Sequence, residues 1–221
     1  MSARIVPDDA AGRAAAVDVL RSGGVVALPT DTVYGIAVSL ETPGGIERLF
    51  HVKRRPPDKG VMLLLDGAVQ AATIGVMGPA ATALAEACWP GGLTLVVPQR
   101  PDLPLPAALT AGLPTVGLRV PDHPAPRALA SALGALPTTS ANVSGSPEAR
   151  DATEILAQLG DAVDLILDGG PAHGGPASTV VDCSAEIPVV RREGAIALTQ
   201  VIAVLDAAGV AHELAAGTHP D

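Results

Sequence analysis

Runs of hydroxyl, amide and cationic side chains occur at four places in this 221-residue chain. Hydroxyl and amide groups donate hydrogen bonds to negatively charged oxygens, and guanidinium and ammonium groups add charge attraction. Combinations of these groups are typical of sites that bind carboxylates or phosphates. The four runs therefore predict a site for an anionic ligand, and they lie at 29–35, 53–60, 138–145 and 178–182 with Arg192.

Three of the runs also have a position in the sequence that favours a functional site over a simple turn. The first follows a short apolar run and contains the only tyrosine of the chain, Tyr34, which a turn does not require. The second, with its two prolines, is expected at a helix exit, where a rigid turn projects its charges. In the third, a strand end leads into Ser140 and Asn142, so hydroxyl, amide and backbone N–H groups can converge on an oxyanion.

Several common site classes are excluded by spacing. Neither lysine is preceded by the glycine spacing of a phosphate-binding P-loop, and the dinucleotide, hydrolase and zinc-protease motifs are missing from the sequence. The five histidines show no pairing at metal-ligand spacing. Cys88 and Cys183 are too far apart to belong to a metal motif, so we expect buried thiols and no protein-bound metal.

Composition and charge narrow the function further. With 48% apolar and 17% charged residues the chain is expected to fold, and its short apolar runs predict neither a membrane span nor a secretory signal. We therefore expect a cytoplasmic protein. A net charge of −9 argues against general nucleic-acid binding. Both lysines, Lys53 and Lys59, nevertheless fall in one basic window, which fits a small anionic ligand.

Strand and helix patterns interleave along the chain. They predict an α/β (α+β) fold in which a twisted mixed sheet is flanked by helices, with residues 1–208 as one domain and 209–221 as a tail. Residues 98–114 are expected to form an irregular, proline-rich loop. The predicted helices lie at 9–21, 42–51, 79–89, 125–133, 152–159 and 199–208, and the predicted strands at 25–28, 61–65, 93–97, 116–120, 136–139, 164–167, 178–182 and 189–191.

Taken in order, six segments of the chain resemble the YrdC-type threonylcarbamoyl-AMP synthase family. They are P-T-D-T-V-Y-G, K-R-R-P with Lys59-Gly60, T-V-G-L-R-V-P, T-S-A-N-V-S-G, S-T-V-V-D and R-E-G-A-I, and the resemblance runs from about residue 22 to 198. The family's K-x-R and S-x-N signature is met by Lys53, Arg55, Ser140 and Asn142. Lys59-Gly60 stands where many relatives have Asn-Pro, and Leu64 stands where some have a histidine.

The resemblance implies a fold, a reaction and its participants. The fold is a twisted sheet with a concave, electropositive cavity. The reaction condenses L-threonine, bicarbonate or CO2, and ATP into threonylcarbamoyl-AMP and pyrophosphate, with Mg²⁺ accompanying ATP and no organic cofactor. A separate tRNA threonylcarbamoyl transferase complex receives the adenylate, so tRNA is expected to meet this chain only through that partner, and no membrane is involved.

The resemblance also assigns residues. The catalytic group would be Lys53, Arg55, Ser140 and Asn142. The L-threonine contacts would be Thr32, Tyr34, Arg119, Thr138 and Ser178, with Arg119 suited to clamp the carboxylate in a bidentate pair. The ATP contacts would be Lys53, Arg55, Lys59, Thr115, Ser140, Asn142 and Arg192.

Two other functions remain open from sequence. One is a YciO-type paralogue that binds a nucleotide or RNA without forming the adenylate, against which the complete signature counts. The other is a double-stranded-RNA-binding maturation factor. The net charge of −9 and the three aromatic residues of the chain argue against it, because RNA binding requires basic stripes or stacking surfaces.

Overall fold

Ten strands form one mixed sheet in the computed structural model, which describes residues 3–54, 60–172 and 175–212. The strands are β1 (Arg4–Pro7), β2 (Val26–Leu28), β3 (Gly35–Ala37), β4 (Met62–Leu64), β5 (Leu93–Pro98), β6 (Thr115–Arg119), β7 (Leu136–Ser140), β8 (Leu165–Asp168), β9 (Thr179–Asp182) and β10 (Val189–Arg192). Their order across the sheet is β1-β8-β2-β3-β7-β4-β6-β5-β9-β10. Parallel and antiparallel neighbours alternate irregularly, so the predicted mixed sheet is confirmed.

Helices pack against both faces of this sheet. They are α1 (Ala10–Arg21), α2 (Gly45–Lys53), α3 (Ala68–Ile74), α4 (Pro79–Cys88), α5 (Ala107–Thr110), α6 (Pro124–Leu133), α7 (Ala152–Leu159) and α8 (Leu198–Ala207), with a 3₁₀ turn at Gly160–Ala162. None of the helices within the described residues is long and apolar enough to cross a membrane.

The two faces are covered unequally. Residues of α2, α3, α4, α5, α7 and α8 share one apolar core with the first face. On the second face α1 and α6 are the helices of the described residues that contribute to the core, and they pack over β2, β8, β7 and β4. No described helix covers the part of this face formed by β4, β6, β5 and β9, which is the floor of a cavity.

Most predicted elements are confirmed to within about two residues, which is the usual uncertainty of element ends. The sequence offers Asp8 or Asp9 as the N-cap of α1. In the structure Asp9 is the cap, because its Oδ1 accepts a hydrogen bond from the Gly12 N–H at 2.8 Å. The predicted start at residue 42 is wrong. Residues 42–45 form a turn in which Gly44 takes a left-handed φ of 77°, and α2 begins after it.

The loop predicted at 98–114 is also wrong in part. Residue 98 ends β5, and the loop contains the short helix α5. Besides α5 and the 3₁₀ turn, three elements were not predicted, namely β1, β3 and α3. β3 has only three residues and directly follows the 29–34 segment, so its sequence reads as part of a loop. The division into a domain at 1–208 and a tail at 209–221 stays a prediction.

Candidate ligand-binding cavity

Alternate residues of four strands point into one cavity of about 350 Å³, within the range of small-molecule sites. Because side chains alternate across a strand, residues between them such as Leu63, Leu95 and Leu118 belong to the core on the opposite face. The floor residues are Met62 and Leu64 on β4, Thr94 and Val96 on β5, Thr115, Gly117 and Arg119 on β6, and Thr138 and Ser140 on β7. Ser178 and Val180 continue this floor at β9.

Arg119 anchors one end of the cavity through three hydrogen bonds. Its Nη2 lies 2.7 Å from Oδ1 of Asp31, its Nη1 lies 2.9 Å from Oγ1 of Thr32, and its Nε donates to the Gly91 carbonyl at 3.0 Å. The arginine is only 2% exposed. A guanidinium has five N–H groups, so two remain for a bound carboxylate.

The hydrogen bonds around Thr32 determine how its hydroxyl meets a ligand. Thr30 donates its only hydroxyl proton to the Val33 carbonyl at 2.7 Å. In the 3.1 Å contact between the two threonine hydroxyls, Thr32 must therefore be the donor. One lone pair of the Thr32 hydroxyl oxygen accepts the hydrogen bond from Arg119. The other lone pair is therefore available to a ligand in the cavity. A ligand group that contacts Thr32 is consequently a donor, such as an amine or a hydroxyl.

A second hydroxyl and guanidinium group lies beside the first. The Ser178 hydroxyl is 2.8 Å from the Thr94 hydroxyl, and both residues are buried. Arg192 donates to the Ser178 carbonyl from Nε at 3.1 Å and from Nη2 at 2.9 Å. No carboxylate of the described residues pairs with the Arg192 guanidinium, so its charge is available to an anion.

The positive charge of Arg192 acts on the pKa of Arg119. Burial lowers the pKa of Arg119, the neighbouring Asp31 raises it, and the positive charge of Arg192 lowers it. An anion placed between the two guanidinium groups would relieve this repulsion. Among the described lining residues, Arg119 and Arg192 carry positive charge and Glu148 carries negative charge, which leaves a positive balance in the cavity.

Lys53, Ser140 and Asn142 form a third group near the other end. The Lys53 ammonium lies 2.7 Å from the Ser140 carbonyl, 2.8 Å from the Ser140 hydroxyl and 2.8 Å from Oδ1 of Asn142. Ser140 in turn donates to Oδ1 of Asn142 at 2.7 Å. Lys53 and Asn142 are buried behind Ser140, which is the member of the group that lines the cavity.

Strand geometry sets the distance between the two polar ends. Thr115 and Arg119 are four residues apart on β6, which corresponds to ~13 Å along an extended strand. Met62, Gly117 and Val96 form the apolar floor between these ends. The cavity thus offers one polar group to a small ligand at the Arg119 end and another to a second ligand at the Ser140 end.

The remaining predicted residues differ in how the structure places them. Thr115 and Thr138 line the cavity, and the Thr138 hydroxyl donates to the Leu136 carbonyl at 2.9 Å. Tyr34 also borders the cavity, but its hydroxyl donates to the Gly170 carbonyl at 2.6 Å and burial raises its pKa. A threonine contact through this hydroxyl stays a prediction. Arg55 and Lys59 lie outside the described residues.

Several cavity residues were missed by sequence reasoning. Thr30 and Asp31 stood in the 29–35 run, but only the fold shows that they hold Thr32 and Arg119. Thr94 sits inside an apolar strand pattern that gives no sign of function, and Leu113 and Glu148 lie in loops. A buried hydroxyl within an otherwise apolar strand was the one available signal.

The described residues contain no group of three acidic, histidine or cysteine side chains that could hold a metal ion. Glu148 is the carboxylate that borders the cavity, and one carboxylate is too few for a dedicated magnesium cage. The described residues therefore do not fit a dedicated magnesium site.

The open sheet face and its paired guanidinium groups define an α/β protein with an anion-binding cavity. The Sua5/YciO/YrdC family model, described as "Telomere recombination", matches residues 18–194. The chain belongs to this family. It is 38% identical over 196 residues to the threonylcarbamoyl-AMP synthase of Bacillus subtilis (strain 168), covering 87% of this chain and 56% of that protein.

Two solved structures extend the comparison. The Pyrococcus abyssi Sua5 structure with L-threonine superposes with a TM-score of 0.84 at 30% identity, over 91% of this chain and 59% of that one. Escherichia coli YciO superposes with a TM-score of 0.79 at 29% identity, over 90% of this chain and 98% of that one. The chain thus spans just over half the length of the first two proteins and nearly all of YciO.

Proposed function

We propose that this chain is a threonylcarbamoyl-AMP synthase, which condenses L-threonine, bicarbonate or CO2, and ATP and releases pyrophosphate. One observation carries the proposal: two polar groups, one built on Arg119 and one on Ser140, face the same cavity from opposite ends of its strand floor. A small amino acid and a nucleotide can therefore lie end to end between them. The similarity to the Bacillus subtilis enzyme supports the same reaction.

The reaction requires positioning more than strong acid or base catalysis. The neutral amine of threonine attacks the carbon of CO2, forming the N–C bond and losing a proton to water. A carbamate oxygen then attacks the α-phosphorus of ATP, the bond from this phosphorus to the bridging oxygen breaks, and pyrophosphate leaves. Because a carbamate decomposes readily in water, both substrates must be held together in an enclosed site.

Different described residues would bind the threonine and the phosphates. Arg119 has two N–H groups for the threonine carboxylate, and Thr32 accepts from the threonine amine or hydroxyl. Arg192 would contact the phosphates, where a cation stabilises the charge that develops. Ser140 would lie beside them and would donate to a phosphate oxygen by giving up its hydrogen bond to Asn142. Mg²⁺ would enter as part of the ATP substrate. Arg55 and Lys59 remain proposed ATP contacts from sequence.

The product is a reactive mixed anhydride, so a separate enzyme must consume it promptly. We propose that this separate enzyme is a tRNA threonylcarbamoyl transferase complex in the cytoplasm. The chain would then contact tRNA only through that complex. The alternative is a YciO-type protein without synthase activity. The chain also superposes on nearly all of Escherichia coli YciO, but its synthase relatives favour the synthase over this alternative. The Lys53, Ser140 and Asn142 network counts against this alternative.

The test is pyrophosphate release by the purified chain with ATP and Mg²⁺, with and without L-threonine and bicarbonate, followed by mass detection of the adenylate. Release that requires both co-substrates supports the synthase. Ser140→Ala should reduce turnover, whereas Ser144→Ala in the same hydroxyl run should not. Binding of threonine and ATP without turnover would favour the YciO-type alternative instead.

A further inference from the structure

Two consecutive glycines, Gly91 and Gly92, connect the parts of the fold that carry the two guanidinium groups of the cavity. They form a bend between α4 and β5. The Gly91 carbonyl accepts the hydrogen bond from Nε of Arg119 at 3.0 Å. Gly92 packs against Ala195, which lies three residues after Arg192. The bend therefore contacts the Arg119 side chain on one side and the segment that carries Arg192 on the other.

Gly92 has no room for a side chain. A Cβ atom there would lie 2.5 Å from Cβ of Ala195, which is closer than such atoms approach each other in folded proteins. The same atom would lie 3.5 Å from Cγ2 of Thr32, an ordinary van der Waals contact. The φ of Gly92 lies outside the left-handed region. The position therefore requires glycine for its lack of a side chain and not for its conformation.

The segment from Arg192 to Ala195 lies against the backbone at the start of β9. The Ala195 N–H donates to the Ala177 carbonyl at 2.9 Å, and the Arg192 guanidinium donates to the Ser178 carbonyl. Ala195 is otherwise exposed to solvent. A side chain at Gly92 would therefore displace this segment outward and carry the guanidinium of Arg192 with it.

Arg119, in contrast, is held by groups outside that segment. Its side chain donates hydrogen bonds to Asp31, Thr32 and the Gly91 carbonyl. These acceptors lie between β2 and β3 and between α4 and β5, and none of them belongs to residues 192–195. A displacement of the segment would therefore change the position of one guanidinium group relative to the other, and not the position of both.

We propose that Gly92 is a positioning residue, which sets the place of the Arg192 guanidinium relative to Arg119 by letting Ala195 pack directly against the backbone. The inference rests on the proposed function and deepens it, because Arg192 is the proposed phosphate contact and Arg119 the proposed carboxylate contact. Restoring a contact distance of ~3.5 Å to an added methyl group would move Ala195 by about 1 Å. A misplacement of this size is enough to weaken binding and catalysis strongly.

The test measures binding of ATP with Mg²⁺, and of L-threonine, by calorimetry. It compares the wild-type chain with Gly92→Ala, Ala195→Gly and the variant that carries both substitutions. Ala195→Gly removes the Cβ atom that the new alanine would meet, so the double variant restores the space. Gly78→Ala is the matched control, because a Cβ there meets nothing within 4 Å, its φ of −71° suits any residue, and it lies outside the cavity lining.

We expect Gly92→Ala to weaken ATP binding about tenfold and to keep its affinity for L-threonine within about twofold of wild type, which also shows that the variant is folded. Ala195→Gly, the double variant and Gly78→Ala should bind both ligands within about twofold of wild type.

Three results would each overturn the positioning role of Gly92. They are unchanged ATP affinity in Gly92→Ala, an equal loss of its threonine affinity, and a failure of Ala195→Gly to restore ATP binding in the double variant. ATP binding by the wild-type chain without pyrophosphate release would instead remove the synthase and leave the positioning role standing.

Discussion

Asp31 forms an ion pair with the buried Arg119, with 2.7 Å between Oδ1 and Nη2, although the two residues are 88 positions apart in the chain. The pair joins the loop between β2 and β3 to the C-terminal end of β6. It also keeps the guanidinium charged in a position where burial lowers its pKa. The ion pair therefore prepares Arg119 for a ligand carboxylate before any ligand arrives.

Replacing Asp31 by Asn should show how much this ion pair contributes to the stability of the fold. The variant leaves the buried guanidinium of Arg119 without a counter-ion, and we expect the free energy of unfolding to fall by about 3 kcal/mol. A threonine carboxylate can replace the lost charge, so L-threonine should stabilise Asp31→Asn more than it stabilises the wild-type chain. Urea unfolding with and without L-threonine measures both effects.

The control for this variant is Asp102→Asn, which breaks the exposed ion pair of Asp102 with Arg100. An exposed ion pair contributes little to stability because water and salt screen it, and this one lies outside the cavity lining. It should therefore lose little stability and gain nothing from L-threonine. Equal stabilisation of Asp31→Asn and wild type by L-threonine would show that the ligand carboxylate does not approach Arg119.

Lys53→Met should damage the site through Ser140 and Asn142. Three charge-assisted hydrogen bonds of the ammonium are lost, which we expect to cost about 2 kcal/mol of stability or more. Lys53→Arg should not restore activity, because the larger guanidinium does not fit a buried point-charge position. Circular dichroism melting and pyrophosphate release check both variants. Full activity in Lys53→Met would contradict a role of this network.

Arg54→Met is the matched control for the lysine variants. Arg54 is the exposed neighbour of Lys53. Its replacement therefore tests whether the loss of any positive charge in this region lowers stability, or only the loss of the Lys53 hydrogen bonds. We expect its stability to stay within about 0.5 kcal/mol of wild type.

Sequence and structure agree where local signals decide the outcome. The cap at Asp9 and the apolar runs of β2 and β4 gave the correct elements, because capping and strand burial depend on neighbouring residues. The motif residues Ser140 and Asn142 could also be recognised, because a hydroxyl and an amide side chain close together at a strand end are unusual.

Other features depend on register and could not be predicted. Thr94 reads as an ordinary strand residue, and only the parallel pairing of β5 with β9 brings its hydroxyl to Ser178. The Asp31 and Arg119 pair requires a strand order that local sequence does not encode. The left-handed Ala111 has no sequence signal at all, since alanine normally favours a helix.

The buried thiol of Cys183 predicts a loss of stability at alkaline pH. Burial and the charge of Asp182 raise its pKa from 9.0 to about 12. Between these values the unfolded chain releases the thiol proton and the folded chain keeps it, so stability is complete below pH 9 and declines above it. The slope from this group is about 1.4 kcal/mol per pH unit.

Cys183→Ala measures that contribution by difference. Guanidinium unfolding of both proteins at several pH values from 8 to 11 should give curves that converge as pH rises, because the alanine variant lacks the titrating group. Parallel curves would show that the Cys183 thiol is not protected by the fold.

Thr179 should support Arg192 without touching the ligand. Its buried hydroxyl accepts from the Gly194 N–H at 2.8 Å and the Ile196 N–H at 3.0 Å, and donates to the Ile196 carbonyl at 2.6 Å, which fixes the segment after β10. Thr179→Val should raise the KM for ATP about fivefold, whereas Thr179→Ser keeps the hydrogen bonds and the wild-type KM. If the effect passes through Arg192, Thr179→Val should add nothing in an Arg192→Ala background. An equal increase in both backgrounds would assign Thr179 a purely structural role.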